Sequence, residues 1–285
     1  MKQSIVKIVT IALLTGAPIG LWLGGFSAFG KTRAETSHSL LTQGETGQVS
    51  YVIDGDGFIL ESGVKVKLAG IEAPQMAWPE QNRDAFPLAD EARDYLDQLI
   101  KNQTAGLYYG GETRDRYDRA LAQVWLMDEN GQKKTWLQEA IVRAGYARVY
   151  PWPDQALDIE RLFEAEKEAR KARRGIWNNR RTKSFYKIRK PDPNPLAQYV
   201  DSLQLVEGII VSTADIKGTV YLNFGSDYKT DFTVGIGKKY VKTFSKAGLD
   251  PVGLEGARVR VRGWLELQNG PVIWIADPRR LEIIR

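Results

Sequence analysis

The 285-residue sequence predicts an α+β protein that is mainly β, organised as two β-rich parts. Short runs of alternating apolar and polar residues predict strands, and three runs with helical spacing lie in the first part. A basic segment followed by Pro191, Pro193 and Pro195 separates the two parts. Hydrophobic residues make up 43% of the chain and charged residues 26%, which is typical of a folded protein rather than a disordered one.

The first 30 residues predict an export segment. Lys2 and Lys7 precede an uncharged stretch at 8–29, which is long enough to span a bilayer because spanning needs about 20 residues. Small residues near its end also allow a cleavage site, so a membrane anchor and a cleaved signal both stay open. Because basic flanks remain in the cytoplasm, both interpretations place the rest of the chain outside it, in the periplasm or secreted.

Composition and pattern together predict five segments along the chain. In the first folded part, strands are expected within 49–60, 64–71, 107–109 and 120–127 and helices at 88–100, 136–144 and 159–174. The expected division is an export segment at 1–30, a linker at 31–47, a first domain at 48–180, a basic and proline-rich linker at 181–202, and a second β-rich domain at 203–285.

The residue types present narrow the possible chemistry. The chain has no cysteine, which excludes disulfides, thiolate metal sites and cysteine nucleophiles. Its single histidine, His38, lies in the polar stretch before the first domain, so a Ser-His-Asp triad is not expected. Any catalysis must therefore use carboxylates, Arg, Lys and Tyr. The net charge of +5 favours polyanionic partners such as nucleic acid or anionic lipid.

A first motif, Val-Ile-Asp-Gly-Asp-Gly at 52–57, places Asp54 and Asp56 two residues apart beside glycines. Hard cations such as Ca²⁺ take several oxygen ligands, and a bend in the chain lets carboxylates converge on one ion. Alone, the pattern is more typical of an ordinary turn.

A second motif, at 67–75, begins with Lys67 and continues through Glu72, Ala73 and Pro74 to Gln75. A strand here would carry a cation at its start and a carboxylate at its end. Glu72 is therefore a candidate for a second metal ligand.

A third motif is the charged turn at 114–119, between two predicted strands. One interpretation is a solvated turn. The other is a site that presents Arg116, Tyr117 and Arg119 to the phosphates and bases of a nucleic acid. An arginine fork matches two phosphate oxygens and stabilises charge that grows on them.

In this order the motifs resemble the staphylococcal nuclease (thermonuclease) family over about 48–180. The resemblance implies a five-stranded OB-fold barrel with three helices. The matching stretches are Val-Ile-Asp-Gly-Asp at 52–56, Leu-x-Gly-Ile-x-Ala-Pro at 68–74, Asp-Arg-Tyr-x-Arg at 115–119 and Arg-Arg-Gly-Ile-Trp at 173–177.

The resemblance also implies Ca²⁺-dependent hydrolysis of DNA and RNA phosphodiesters. Asp56 would bind Ca²⁺ directly, Glu72 would replace a ligand aspartate beside the Ala73 carbonyl, and Asp54 would support these ligands. Arg119 matches one of two arginines that clamp the scissile phosphate, and Tyr117 matches an aromatic near the nucleotide.

Three departures from the family pattern affect this expectation. Lys67 replaces the second phosphate arginine and lacks its bidentate fork. Glu72 is one methylene longer than the family's aspartate. Gln75 replaces the glutamate thought to activate water, and an amide orients water but cannot accept its proton. Glu80 is a substitute base only if its loop reaches the site. Asp118 stands where the family usually has glycine.

The second domain holds about five predicted strands, the number in another OB-like barrel. Arg258, Arg260 and Arg262 alternate along one strand and so share a face. This face either tracks a phosphate backbone, with Tyr221, Phe224 or Trp274 stacking on bases, or is a solvated face over an aromatic core. The second interpretation is favoured about two to one.

Three hypotheses follow for function. Asp56 and Arg119 favour an extracytoplasmic nuclease, and we place this hypothesis slightly ahead. Lys67 and Gln75 favour a degenerate domain that binds nucleic acid or a protein partner without cleaving. A periplasmic scaffold that binds no nucleic acid is the third, and salt-dependent DNA binding would count against it.

Overall fold

A computed structural model describes residues 41–152 and 158–284 of the chain, apart from the side chain of Gln81. The hydrophobic stretch at 8–29 and His38 lie outside the described residues. Within the described residues, no helix combines the length and the apolar character that crossing a membrane requires.

The described residues alternate between strands and short helices. The strands are β1 Thr42–Asp54, β2 Gly57–Leu60, β3 Lys65–Leu68, β4 Ile71–Glu72, β5 Thr104–Tyr109, β6 Ala120–Met127, β7 Lys133–Trp136, β8 Arg148–Val149, β9 Leu203–Ile209, β10 Ser212–Ile216, β11 Thr219–Asn223, β12 Thr233–Ile236, β13 Arg258–Leu267, β14 Pro271–Trp274 and β15 Leu281–Ile283. The α-helices are α1 Ala89–Ile100, α2 Leu137–Ala144, α3 Ile159–Lys171, α4 Pro193–Ala197 and α5 Lys238–Lys246.

The first sheet closes into a five-stranded barrel. The sheet order is β3-β2-β1-β5-β6-β7, and β3 also pairs in parallel with β6. This pairing closes β3, β2, β1, β5 and β6 into the barrel, and β7 continues the sheet beyond β6. Apolar side chains such as Phe58, Leu68, Leu107 and Val124 fill the interior. Helices α1, α2 and α3 match the three helices expected from spacing. The predicted α+β class with an OB-type barrel is confirmed.

Strand β1 begins at Thr42, inside the segment expected to be a linker up to residue 47. Its first residues pair with β5, from Thr42 opposite Tyr109 to Gln48 opposite Thr104. The Tyr109 hydroxyl donates a hydrogen bond to Glu45 over 2.5 Å. This part of the strand is mostly polar and largely exposed. It therefore lacks the apolar alternation that reveals a strand from sequence.

The second sheet contains β10-β11-β12-β14-β13-β15 in that order, with β9 also paired to β13. This confirms a second β-rich part. Strands β10 and β15 were missed from sequence because β10 is mostly polar and β15 has only three residues. A separate apolar core lies within this sheet and α5, including Val220, Phe232 and Ile273.

The basic segment after α3 is folded against both parts of the chain. Tyr186 is buried with Trp177 and Leu205 in a small third core, and its hydroxyl donates to the Pro87 carbonyl over 2.8 Å. The sequence predicted a basic and proline-rich linker at 181–202 here. Spaced aromatic residues were the missed signal, because they bury the segment despite its charge.

A buried ion pair joins the second sheet to helix α3. Arg262 on β13 binds Glu166 on α3 with two contacts of 3.1 Å and donates to the Val149 carbonyl over 2.8 Å. Arg262 also pairs with Glu282, which in turn pairs with Arg260. We call Glu166, Arg260, Arg262 and Glu282 the interface cluster. It fixes the second sheet against the strand β8.

Candidate active site

The turn between β1 and β2 places two carboxylates at the rim of the barrel. Asp54 ends β1, and its Oδ1 accepts a hydrogen bond from the Asp56 amide over 3.0 Å. Gly55 allows this turn to pack closely, because a Cβ there would lie 2.8 Å from Cβ atoms of both Ala73 and Ala92. The glycine next to the acids therefore serves packing as well as turning.

Strands β2, β3 and β4 bring a lysine and a third carboxylate beside Asp56. The Lys67 ammonium lies 2.6 Å from Asp56 Oδ1 and 3.2 Å from Glu72 Oε2. The other Asp56 oxygen accepts a 2.6 Å hydrogen bond from the Ala73 amide. The structure thus brings together four predicted site residues, Asp54, Asp56, Lys67 and Glu72, which we call the cleft cluster.

The cleft cluster contains more negative than positive charge. Burial, followed by repulsion from Asp56, raises the pKa of Asp54 to about 7. Burial also raises the pKa of Glu72, although Lys67 opposes this shift. For Lys67, burial alone would lower the pKa, but the attraction of Asp56 and Glu72 outweighs it and the pKa rises. Three buried carboxylates therefore share one ammonium group.

The carboxylates of this site fit a hard cation, but a lysine already lies between them. Asp56 and Glu72 converge on one positive centre, as Ca²⁺ ligands do, but that centre is the Lys67 ammonium. Within the described ranges, no group of three His, Cys, Asp or Glu side chains is arranged to hold a metal. A bound cation would have to displace Lys67 from between the carboxylates.

The charged turn between β5 and β6 is organised by Asp115. Its Oδ1 accepts from the backbone amides of Tyr117 and Arg119, and its Oδ2 accepts from Arg119 Nε over 2.7 Å. Partial burial would raise the pKa of Asp115, but the hydrogen bonds from Arg119 turn the net shift downward. Sequence reasoning placed Asp115 in the motif without this role.

The same turn exposes Tyr117 toward the cleft. The ring is 53% exposed, with the Arg116 guanidinium 4.7 Å and the Arg119 guanidinium 5.5 Å from its centroid. Asp118 adopts a φ of +61°, a backbone region that favours the glycine usual in the family. Aspartate can replace glycine here because it tolerates this region better than most residues.

Gln75 lines the cleft at the end of the second motif. Its Oε1 is buried and has no hydrogen-bond partner among the described residues. Glu80, considered from sequence as a substitute base, is exposed and does not line the cleft, whereas Asp84 does. The amide oxygen of Gln75 is thus an unpaired acceptor beside the cleft, and its side chain would have to turn to meet a water molecule there.

The cleft has a volume of about 1690 Å³ and reaches from the cleft cluster to the second sheet. That is larger than a typical small-molecule pocket of roughly 300–1,000 Å³. Sequence reasoning missed several lining residues. The closely spaced aromatics and prolines after Gly145 were the available signal. The missed residues include Tyr150 and Trp152 from the first part and Tyr240, Trp264 and Arg280 from the second.

The arginine face of β13 is neutralised by acidic side chains. Arg258 and Arg260 both bind Glu207, at 2.7 Å each, and Arg262 is buried in the interface cluster. Only Arg258 is largely exposed, which counts against the hypothesis that the three arginines together track a phosphate backbone. Their partners lie on other elements, up to 96 residues away in the chain, so spacing along β13 could not reveal them.

The barrel, its acidic turn and the adjacent arginine turn define the class: an OB-barrel protein with a charged cleft at its rim. A sequence model described as "Staphylococcal nuclease homologue" matches residues 65–179. The chain belongs to the staphylococcal nuclease family.

Relatives of this chain include proteins from bacteria and fungi. Thermonuclease of Staphylococcus hyicus is 32% identical over 138 residues, which cover 47% of this chain and 77% of that protein. Thermonuclease of Staphylococcus intermedius is 29% identical over 180 residues, covering 62% and 99%. Probable endonuclease lcl3 of Pyrenophora tritici-repentis is 35% identical over 116 residues, covering 39% and 40%.

Proposed function

We propose that this protein is a Ca²⁺-dependent nuclease that hydrolyses phosphodiester bonds of DNA or RNA outside the cytoplasm. Membership of the family and relatives named thermonuclease or endonuclease support the nuclease class. The observation that carries the proposal is the cleft cluster. In it, Asp56 and Glu72 converge on the Lys67 ammonium group, and Arg119 lines the same cleft. Nucleic acid is accordingly the expected substrate.

In this proposal Asp56, Glu72 and the Ala73 carbonyl would hold Ca²⁺. Asp54 supports the turn by accepting a hydrogen bond from the Asp56 amide. The ion, when bound, supplies Lewis-acid stabilisation of phosphate charge. The excess of carboxyl groups in the cleft cluster supports cation binding, because a bound cation would favour the ionised form of the groups whose pKa values are raised.

Lys67 has two positions in the proposed cycle. Without metal it neutralises Asp56 and Glu72. With Ca²⁺ at these carboxylates, the Lys67 ammonium group would be free to bind the substrate phosphate beside them. Arg119 likewise exchanges Asp115 for phosphate oxygens, where its fork stabilises the charge that develops during attack.

Gln75 orients the attacking water by accepting a hydrogen bond at its unpaired Oε1. The amide cannot take the proton, so the proton leaves to solvent or to another base. General-base catalysis is worth about 10²–10⁴ in rate. We therefore propose a slow nuclease.

The location is proposed from the uncharged stretch at 8–29 behind Lys2 and Lys7. We also propose that 48–180 and 203–285 are the two domains, joined through 181–202, with residues 42–47 added to the first. A contact with the membrane through 8–29 belongs to this proposal, and no protein partner is part of it.

The test is hydrolysis of single-stranded DNA by the full-length chain, with Ca²⁺ and with EDTA, beside the Asp56→Ala variant. We expect hydrolysis that requires Ca²⁺ and is lost in the variant. Activity that persists in EDTA would contradict the metal requirement. Salt-dependent DNA binding without any hydrolysis would instead support a domain that binds and does not cleave.

A further inference from the structure

A row of aromatic side chains crosses one face of the second sheet. Tyr221 on β11 pairs with Gly235 on β12, and Gly235 pairs with Trp274 on β14. Leu265 pairs with Ile273 in the antiparallel pair of β13 and β14. One residue further along, Trp264 therefore lies opposite Trp274. Paired residues of neighbouring strands share a face, so the three rings stand on one side of the sheet.

Gly235 makes room for this row. A Cβ at Gly235 would lie 2.4 Å from two atoms of the Trp274 ring, so the ring lies across the glycine. Tyr221 meets the same indole edge to face, with centroids 5.9 Å apart. This packing fixes the indole in place, although Trp274 and Trp264 remain partly exposed.

The row opens into the same cleft as the proposed catalytic groups. Trp264 and Trp274 line the cleft together with Asp56 and Glu72, and Tyr240 of α5 adds another ring. Helix α5 also carries exposed lysines and no acidic residue, at positions Lys238, Lys239, Lys242 and Lys246.

An incompletely paired guanidinium lies in the same wall. Arg280 is buried, donates to the Pro151 carbonyl over 2.7 Å and stacks on Tyr150. Its Nη2 has no hydrogen-bond partner among the described residues. Asp201 and Glu266 also line the cleft, so the wall is not uniformly basic. Stacking rather than charge must therefore provide most of its selectivity.

We propose that Trp264 and Trp274 form a stacking subsite for unpaired bases of a single-stranded nucleic acid whose phosphate lies at the cleft cluster. This rests on the proposed function and deepens it, because it assigns the second sheet to substrate binding. Aromatic faces stack on any base, and bases in a duplex cannot reach them. The subsite thus selects single strands several nucleotides long.

The experiment measures fluorescence anisotropy of labelled oligothymidylates of 3 and 12 nucleotides, and of a 12-base-pair duplex, with the full-length chain in EDTA. We expect Trp274→Ala and Trp264→Ala each to weaken binding of the 12-mer by about tenfold. Binding of the 3-mer should change less, and duplex binding should not depend on the ring. Trp274→Phe keeps a ring and should stay within about threefold of wild type.

Tyr228→Ala is the matched control, because Tyr228 is an exposed aromatic of the second part that does not line the cleft. Thermal unfolding of each variant separates misfolding from lost binding. If Trp274→Ala does not fold, Trp264→Ala carries the test.

Unchanged 12-mer affinity in the folded tryptophan variants, or no 12-mer binding by wild type, overturns the subsite even if the protein hydrolyses DNA. Weakened 12-mer binding in a protein that never hydrolyses DNA leaves the subsite standing and rejects the nuclease proposal alone.

Discussion

The cleft cluster and the interface cluster are both buried groups of charged side chains, but their charges balance differently. In the cleft cluster, Asp54, Asp56 and Glu72 share Lys67. In the interface cluster two guanidinium groups meet two carboxylates. Buried charges that are balanced by partners hold elements of the fold together. A buried cluster with excess charge of one sign is more typical of a site that binds a ligand or performs a reaction.

The largest expected difference between the clusters is in activity. Asp56→Asn keeps the size of the side chain but removes a charge that the proposed metal requires. We expect DNA hydrolysis to fall by about 10³ or more, with a smaller loss of stability than the matched Glu166→Gln variant shows. Initial rates with saturating Ca²⁺ measure this. Hydrolysis within tenfold of wild type would remove Asp56 from the site.

Glu166→Gln makes the same chemical change in the interface cluster. The amide leaves the buried Arg262 without its main counter-charge, so we expect a loss of about 3–5 kcal/mol in the free energy of unfolding. Where the variant is folded, hydrolysis should fall by about tenfold or less. Urea unfolding measures the stability.

Gln75→Glu adds a carboxylate where the cleft offers only an amide oxygen. A base at this position should raise kcat by about 10², because the attacking water then loses its proton to the side chain. Single-turnover rates of wild type and variant make the comparison, with Gln75→Met as the control that orients no water. Equal rates for all three proteins would show that this residue does not contact the water.

Lys67→Met removes the internal cation of the cleft cluster. Because Ca²⁺ then has no competitor between Asp56 and Glu72, we expect about tenfold tighter Ca²⁺ binding together with slower hydrolysis. Calorimetric titration measures the affinity. Lys65→Met is the control, since Lys65 is an exposed lysine on the same strand. Weaker Ca²⁺ binding in Lys67→Met would mean that the ammonium and the metal occupy separate places.

The smallest effect is the pH dependence of the metal-free protein. The pKa of Asp54 is raised from its usual 3.8 to about 7. Its favourable contribution to stability is therefore complete below the unfolded pKa and is lost as pH rises through about 7. In EDTA, wild type should lose stability between about pH 4 and 7 more steeply than Asp54→Asn. Parallel melting-temperature profiles for the two proteins would contradict the shift.

The sequence allowed prediction of the elements that have a local pattern. The helix expected at 136–144 is Leu137–Ala144, and the one expected at 88–100 is Ala89–Ile100, because apolar spacing reveals both helices. Gly145 also marks the end of the first of them. The candidate site residues came from motif resemblance, and the structure brings Asp54, Asp56, Lys67 and Glu72 together.

Long-range pairing was not predictable from local pattern. The arginines of β13 presented a free basic face in sequence, but their carboxylate partners come from α3, β9 and β15. Lys67 was expected to face phosphate. Its position between Asp56 and Glu72 depends on how β3, β4 and the turn between β1 and β2 meet in the fold. Both features depend on which distant residues meet, and period-two alternation carries no such information.

The hydrogen bonds from the Arg262 and Arg280 side chains to backbone carbonyls have a consequence for folding during synthesis of the chain. These residues bind the carbonyls of Val149 and Pro151, and β8 in turn pairs with the strand that carries Glu72. A ribosome synthesises them more than 100 residues after the segment that they hold. A chain cut short after α3 would contain all the proposed catalytic residues and still lack the supports of the cleft wall. The nuclease would therefore become fully assembled only when its last strands arrive.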